Sequence, residues 1–174
     1  MKSLFLTMGL IGYLAIEGVS TPAANAQTAP QPTLEQEALS VRSDETVHTF
    51  TVEIADDPEE VATGMMGREA LADDAGMLFD LGGVREASFW MKDVVIPLDM
   101  LFIDSGGQVV AIAENAVPGS IRRINPGVPV RGVLELRGGL ARELSLEPGD
   151  VVQHDLFGTG TDTGAGPDTS IEER

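Results

Sequence analysis

Cysteine is absent from all 174 residues, which excludes disulfide staples, thiol nucleophiles and thiolate metal sites. The same absence excludes a lipoprotein, whose cleavage site carries a cysteine for the acyl chains. Aromatic residues are scarce at 5%, with a single tryptophan, Trp90. Histidine occurs only as His48 and His154, without ligand spacing, so no metal site is expected. Lysine is confined to Lys2 and Lys92, and 11 Lys and Arg against 28 Asp and Glu leave a net charge of −17. That surface repels phosphate backbones and anionic headgroups, and Arg122, Arg123 and Arg131 are too sparse a basic group to reverse it. Nucleic acid is therefore not an expected partner. No G-x-S-x-G elbow, P-loop or dinucleotide fingerprint after a strand is present, so neither a serine triad nor a nucleotide cofactor is expected.

What is present begins with a targeting pattern. Lys2 precedes a mostly apolar stretch over residues 4–16, too short to span a bilayer and closed by Glu17. Ala24-Asn25-Ala26 then supplies the small residues that a signal peptidase reads. Residues 1–26 are expected to be a signal peptide cut after Ala26, giving a periplasmic or secreted chain with no membrane insertion afterwards; an uncleaved anchor is the alternative. Residues 27–37, rich in Ala, Pro, Thr and Gln, are expected to be a disordered leader, and the Gly/Thr/Asp tract over residues 158–174 a disordered tail.

Residues 38–157 are left for one β domain. Residues 39–42 and 46–55 flank Ser43-Asp44-Glu45 as a hairpin, and Phe50, Val52 and Ile54 alternate with polar neighbours as in a half-buried strand. Asp57-Pro58-Glu59-Glu60 is a helix start, with a capping aspartate, proline at the first helical position and a glutamate to close the box. Further strands are expected over residues 76–80, closed by Gly82-Gly83, and over 86–92, 98–104, 108–114, 131–136 and 151–156. Residues 138–144 suit one or two helical turns. Residues 115–127, with two prolines and no period, form a long connection able to lie over a pocket. The expected fold is all-β and mainly antiparallel, a single-domain sandwich or flattened barrel with one or two short helices. No strand-helix-strand alternation is evident.

Several of these residues also carry a resemblance. Val52-Glu53-Ile54-Ala55 with Pro58-Glu59-Glu60, Gly64-Met65-Met66-Gly67-Arg68 and Gly76-Met77-Leu78-Phe79 form one run. Phe89-Trp90-Met91-Lys92 followed by Ile96-Pro97-Leu98-Asp99-Met100-Leu101-Phe102-Ile103 forms a sharper one. Glu114-Asn115-Ala116-Val117-Pro118 and Val133-Leu134-Glu135-Leu136 complete the pattern, over residues 52–152. Together they closely resemble the family catalogued as domain of unknown function 192. The resemblance implies a compact, mainly antiparallel β fold and no particular reaction. Gly119 stands where relatives often carry cysteine, which again speaks against thiol chemistry.

Candidate site residues cluster around Trp90. On a strand, Trp90 and Lys92 would share one face while Phe89 and Met91 fill the core. An exposed indole beside a cation suits a ring-bearing or anionic ligand, such as a carbohydrate or an organic acid. The alternative is a capping tryptophan and a lysine paired with Asp93, Asp99 or Glu114. Asp99, set before an apolar run, is expected to be partly buried with Arg68 or Lys92 as partner. Arg68, Trp90, Lys92, Asp99 and Glu114 are therefore expected to line one ligand groove. A second reading is a hydrolase-like enzyme with Asp99 or Glu114 as acid or base; a third is a copper carrier built on Met65, Met66, Met77, Met91 and Met100. Methionine is also an ordinary core filler, so packing competes with the copper reading.

Overall fold

The computed structural model describes residue 30 and residues 32–160; the expected signal peptide, most of the leader and the tail beyond Gly160 lie outside them. Seven strands and two short helices follow in order: β1 Gln36–Ser43, β2 Thr46–Ala55, α1 Pro58–Thr63, β3 Ala75–Glu86, β4 Leu98–Ile103, β5 Val109–Ala116, β6 Pro129–Arg137, α2 Leu140–Glu143 and β7 Val151–Gln153. All seven strands belong to one sheet in the order β5-β4-β6-β3-β2-β1-β7. The all-β expectation holds. A sandwich of two sheets is not formed among the described residues. Instead the sheet curls into a half-barrel, and its outer strands meet at one end. There Val109 N–H donates to the Asp150 carbonyl (2.8 Å) and Val152 N–H to the Gly107 carbonyl (2.8 Å).

Every ladder is antiparallel except β2–β3, which is parallel. A parallel pair needs a crossover, and α1 lies on that connection, so one strand-helix-strand unit exists that the sequence reading did not resolve. α1 starts as expected. Asp57 accepts from the amides of Glu59 and Glu60, both at 2.8 Å, and the Glu60 side chain reaches back to the Asp57 amide to complete the box.

Several expectations are corrected, among them the last strand: β7 ends at Gln153 rather than at residue 156, and a 3-10 turn follows over Asp155–Phe157. β1 starts at Gln36 and takes in the last two residues of the expected leader; Leu34 N–H already donates to Glu53 (2.8 Å). β3 does not stop at Gly82-Gly83. Both glycines have positive φ, 70° and 158°, and form a bulge between the Asp80 and Arg85 pairings with β6, after which the strand resumes. The strand expected over residues 86–92 is not formed: Glu86 ends β3 and residues 87–92 lie outside any strand. The strands on either side of them already use both edges, β3 pairing with β2 and β6, and β4 with β5 and β6. Phe89 instead makes a single bridge with Ile124, and Met91 N–H donates to Ser120. The segment is thereby tied to the long connection after β5.

Two apolar clusters cover the two faces of the sheet. Alternation along β4 sends Leu101 and Ile103 to the first and Leu98, Met100 and Phe102 to the second. All six β4 residues are buried, as expected for a strand covered on both sides.

Candidate functional site

β6 follows the same alternation: Leu134 and Leu136 enter the first cluster and Val133 the second. Glu135 therefore points to the second, apolar face, between its cross-strand neighbours Met77 and Met100. It is 4% exposed. Desolvation alone acts on its carboxyl and pushes it up to about 8. Among the described residues no hydrogen bond or ion pair answers it.

The carboxyl lies on the wall of a cavity of about 450 Å³. One side is built by the end of α1 and the turn after it, with Val61, Gly64, Met65 and Met66. Gly64 has φ 47°, and a Cβ there would stand 3.0 Å from the Phe79 ring, so glycine lets this turn close onto the sheet. Phe79 and Leu81 of β3, with Phe89 and Val94, also line the cavity. Phe89 meets the edge of Phe79 at 5.2 Å and 85°, a stable aromatic geometry. Trp90 is half-buried on the cavity wall, with the Arg123 guanidinium 4.2 Å and Lys92 Nζ 5.6 Å from its ring centroid. Arg85, Glu86 and Arg123 are the other charged lining residues.

The five residues expected to share a groove do not come together. Only Trp90 lines this cavity. Asp99 is fully buried, and its neighbours in alternation, Leu101 and Ile103, belong to the opposite face of the sheet. One Asp99 oxygen accepts from the amides of Asn115 (2.6 Å) and Gly139 (3.0 Å), the other from that of Ala141 (2.8 Å). Those contacts tie β4 to the end of β5 and the start of α2. Neither expected cation is its partner. Arg68 is held by both oxygens of Glu53, at 3.0 and 2.8 Å. Glu114 pairs with Arg142 (2.6 Å). Lys92 is exposed, 3.6 Å from Asp93, which is the pairing weighed as the alternative. Met91 is sealed in the core, whereas Phe89 faces the cavity. Met65, Met77, Met91 and Met100 belong to the second cluster and Met66 packs against it.

Residues 39–154 match the model of the domain of unknown function 192 family, described as an uncharacterized ACR. The chain belongs to this family. Two solved structures resemble this unknown-function-192 protein over most of its length. One, from Sinorhizobium meliloti 1021 and put forward as a transcription regulator, is 40% identical with a TM-score of 0.70, covering 72% of this chain and 98% of its own. The other, a protein of unknown function from Novosphingobium aromaticivorans DSM 12444, is 37% identical with a TM-score of 0.69, covering 79% of this chain and 100% of its own. No curated protein matches. In the unknown-function-192 domain the two motif runs meet in space: Gly64-Met65-Met66 and Phe89-Trp90 line one cavity.

Glu135 and Arg123 were missed by sequence reasoning. Glu135 stands inside a quoted motif, but on an amphipathic strand a lone acid reads as solvent-facing. Its one signal is the company of Val133, which is equally buried on the same face. Chemically, the site combines an apolar chamber, one carboxyl that is easily protonated, and an indole with cations stacked on it. Among the described residues no group of three or more His, Asp or Glu is placed to hold a metal ion.

Proposed function

We propose that the protein is an exported β domain that binds a small molecule with an apolar body in the cavity between α1, β3 and Trp90. One observation carries this reading: a chamber of about 450 Å³, walled largely by aromatic and aliphatic side chains, includes the buried Glu135, whose carboxyl has no hydrogen-bond or ion-pair partner among the described residues. Small-molecule sites have this character, at ~300–1,000 Å³ with few polar groups fixing orientation. The apolar walls favour an apolar body over a sugar. Transcription regulation, the role put forward for the Sinorhizobium protein, fits this chain less well. Its net charge is −17, and Arg68, Arg131, Arg137 and Arg142 are each paired with a carboxylate.

Trp90 is the sole tryptophan and lines the cavity, so its fluorescence reports on entry. A screen of small amphiphiles against the full-length chain should give saturable emission changes together with a raised unfolding midpoint. Substituting Trp90→Phe should silence the optical signal and leave the thermal shift. A library that moves neither signal removes the binding reading. Export is supported by Lys2, the apolar residues 4–16 and Ala24-Asn25-Ala26. It is checked by the mass of the chain recovered outside the cytoplasm, which should lack residues 1–26.

A second reading has its own support. A carboxyl raised to about 8 inside a cavity is suited to general-acid work at neutral pH. If there is chemistry, Glu135 is a better acid than Asp99, whose oxygens are engaged by three amides, or Glu114, which is paired at the surface. Glu135→Gln would then abolish turnover of a bound substrate.

A further inference from the structure

We propose that the cavity selects an organic cation, a ligand that carries an ammonium or guanidinium group on an apolar body and sets it against the Glu135 carboxylate. The inference rests on the cavity being the binding site and names the chemistry it recognises. Glu135 is nine-tenths buried and faces the chamber, and its cross-strand neighbours Met77 and Met100 offer thioethers, which cannot donate to an oxygen. A carboxylate in such a place is costly unless a cation answers it.

The protein's own cations do not. Arg123 is held over the Trp90 ring at 4.2 Å. Arg85 lines the same chamber, yet among the described residues neither it nor Arg123 makes an ion pair with Glu135. The partner is left to come from outside. Phe79 and Phe89 are among the lining residues, and an aromatic ring face attracts a cation and repels an anion. An organic acid would meet either the protonated Glu135 or a second carboxylate, and in neither form does it gain an opposite charge from that residue. A neutral alcohol gains the apolar walls and no opposite charge. A cation gains both.

The proton balance follows. Below about pH 8 the free site holds a proton on Glu135, and a bound cation favours the ionised form, so binding releases that proton. With a quaternary ammonium, whose charge does not titrate, affinity should rise about tenfold per pH unit up to that point and then level off. The charged groups facing the cavity beside Glu135 are Arg85, Glu86 and Arg123; neither histidine lines it.

The test titrates full-length protein with hexylammonium, hexan-1-ol and hexanoate near neutral pH, following Trp90 emission and heat, and repeats the pH series with hexyltrimethylammonium. Hexylammonium should bind at least about tenfold more tightly than hexanol, the margin expected of a hydrogen bond to a charged group, and hexanoate more weakly than both. Glu135→Gln should bring hexylammonium down to the level of hexanol measured on the same variant. Equal affinity of hexylammonium and hexanol, or undiminished hexylammonium binding by Glu135→Gln, overturns cation selection while the apolar cavity stands. If none of the three binds, the cavity reading falls with it.

Discussion

Asp99 and Glu135 sit on the adjacent strands β4 and β6, and both are closed off from solvent. Their surroundings differ completely. Asp99 is met by three backbone amides and organises the junction of β4, β5 and α2, whereas among the described residues no hydrogen bond or ion pair reaches the Glu135 carboxyl. Asp99→Ala would strand three donors in the interior and should cost about 3 kcal/mol, read as a lower denaturation midpoint in urea. Lys92→Ala, which loses only an exposed pairing with Asp93, should change that midpoint by no more than about 0.5 kcal/mol. A large effect at Lys92 with a small one at Asp99 would reverse the assignment of structural and surface roles.

At the scale of elements, α1 is the most exposed to test, because it is six residues long and forms a cavity wall. A helix that short depends on its cap and on packing. Asp57→Ala removes the acceptor for two amides and should cost about 1 kcal/mol. It should also weaken any cavity ligand while leaving Asp99 and its amides untouched. Equal loss of affinity from an exposed β5 substitution such as Glu114→Ala would show a global effect instead. α1 was legible in the sequence because a capping box is a local signal. The β1–β2 hairpin was legible for the same reason, and Asp44 takes the positive φ of 49° at its turn. The parallel β2–β3 pair was not, since pairing partners far apart leave no local mark. Residues 86–92 read as a strand because their composition suits one; only the saturation of both neighbouring edges decides otherwise. The site failed on the same ground. Parity along a presumed strand joined Trp90 to Lys92, and the two do lie near each other, but Asp99 and Glu114 belong elsewhere. Glu135 could not be singled out without knowing that β6 is covered on both faces.

For the whole molecule, opposing titrations should shape stability. Hydrogen bonding to Arg131 holds Asp80 below the usual carboxylate range, and hydrogen bonding to Arg137 does the same for Asp73 and Glu143. Groups lowered on folding contribute stability that is present above their unfolded range and lost as pH falls through the folded one. Asp73 and Glu143 lie at the surface, so their share is small and salt-sensitive. Glu135 has the opposite sign. Raised from 4.5 to about 8, it contributes fully below its unfolded value, and that contribution is lost as pH rises through the folded one, on the order of 5 kcal/mol. Deprotonation of a chain already at −17 adds repulsion on the same side. The thermal midpoint of the full-length chain should therefore peak at mildly acidic pH and fall towards pH 8. Glu135→Gln should flatten the alkaline side and leave the acid side as it was, and Arg131→Gln should lower stability most above the carboxylate range and so blunt the acid side alone. A wild-type midpoint that stays level between pH 6 and 8 in the free protein would mean that Glu135 already has a partner, and the cavity would then have no charge left to offer a ligand.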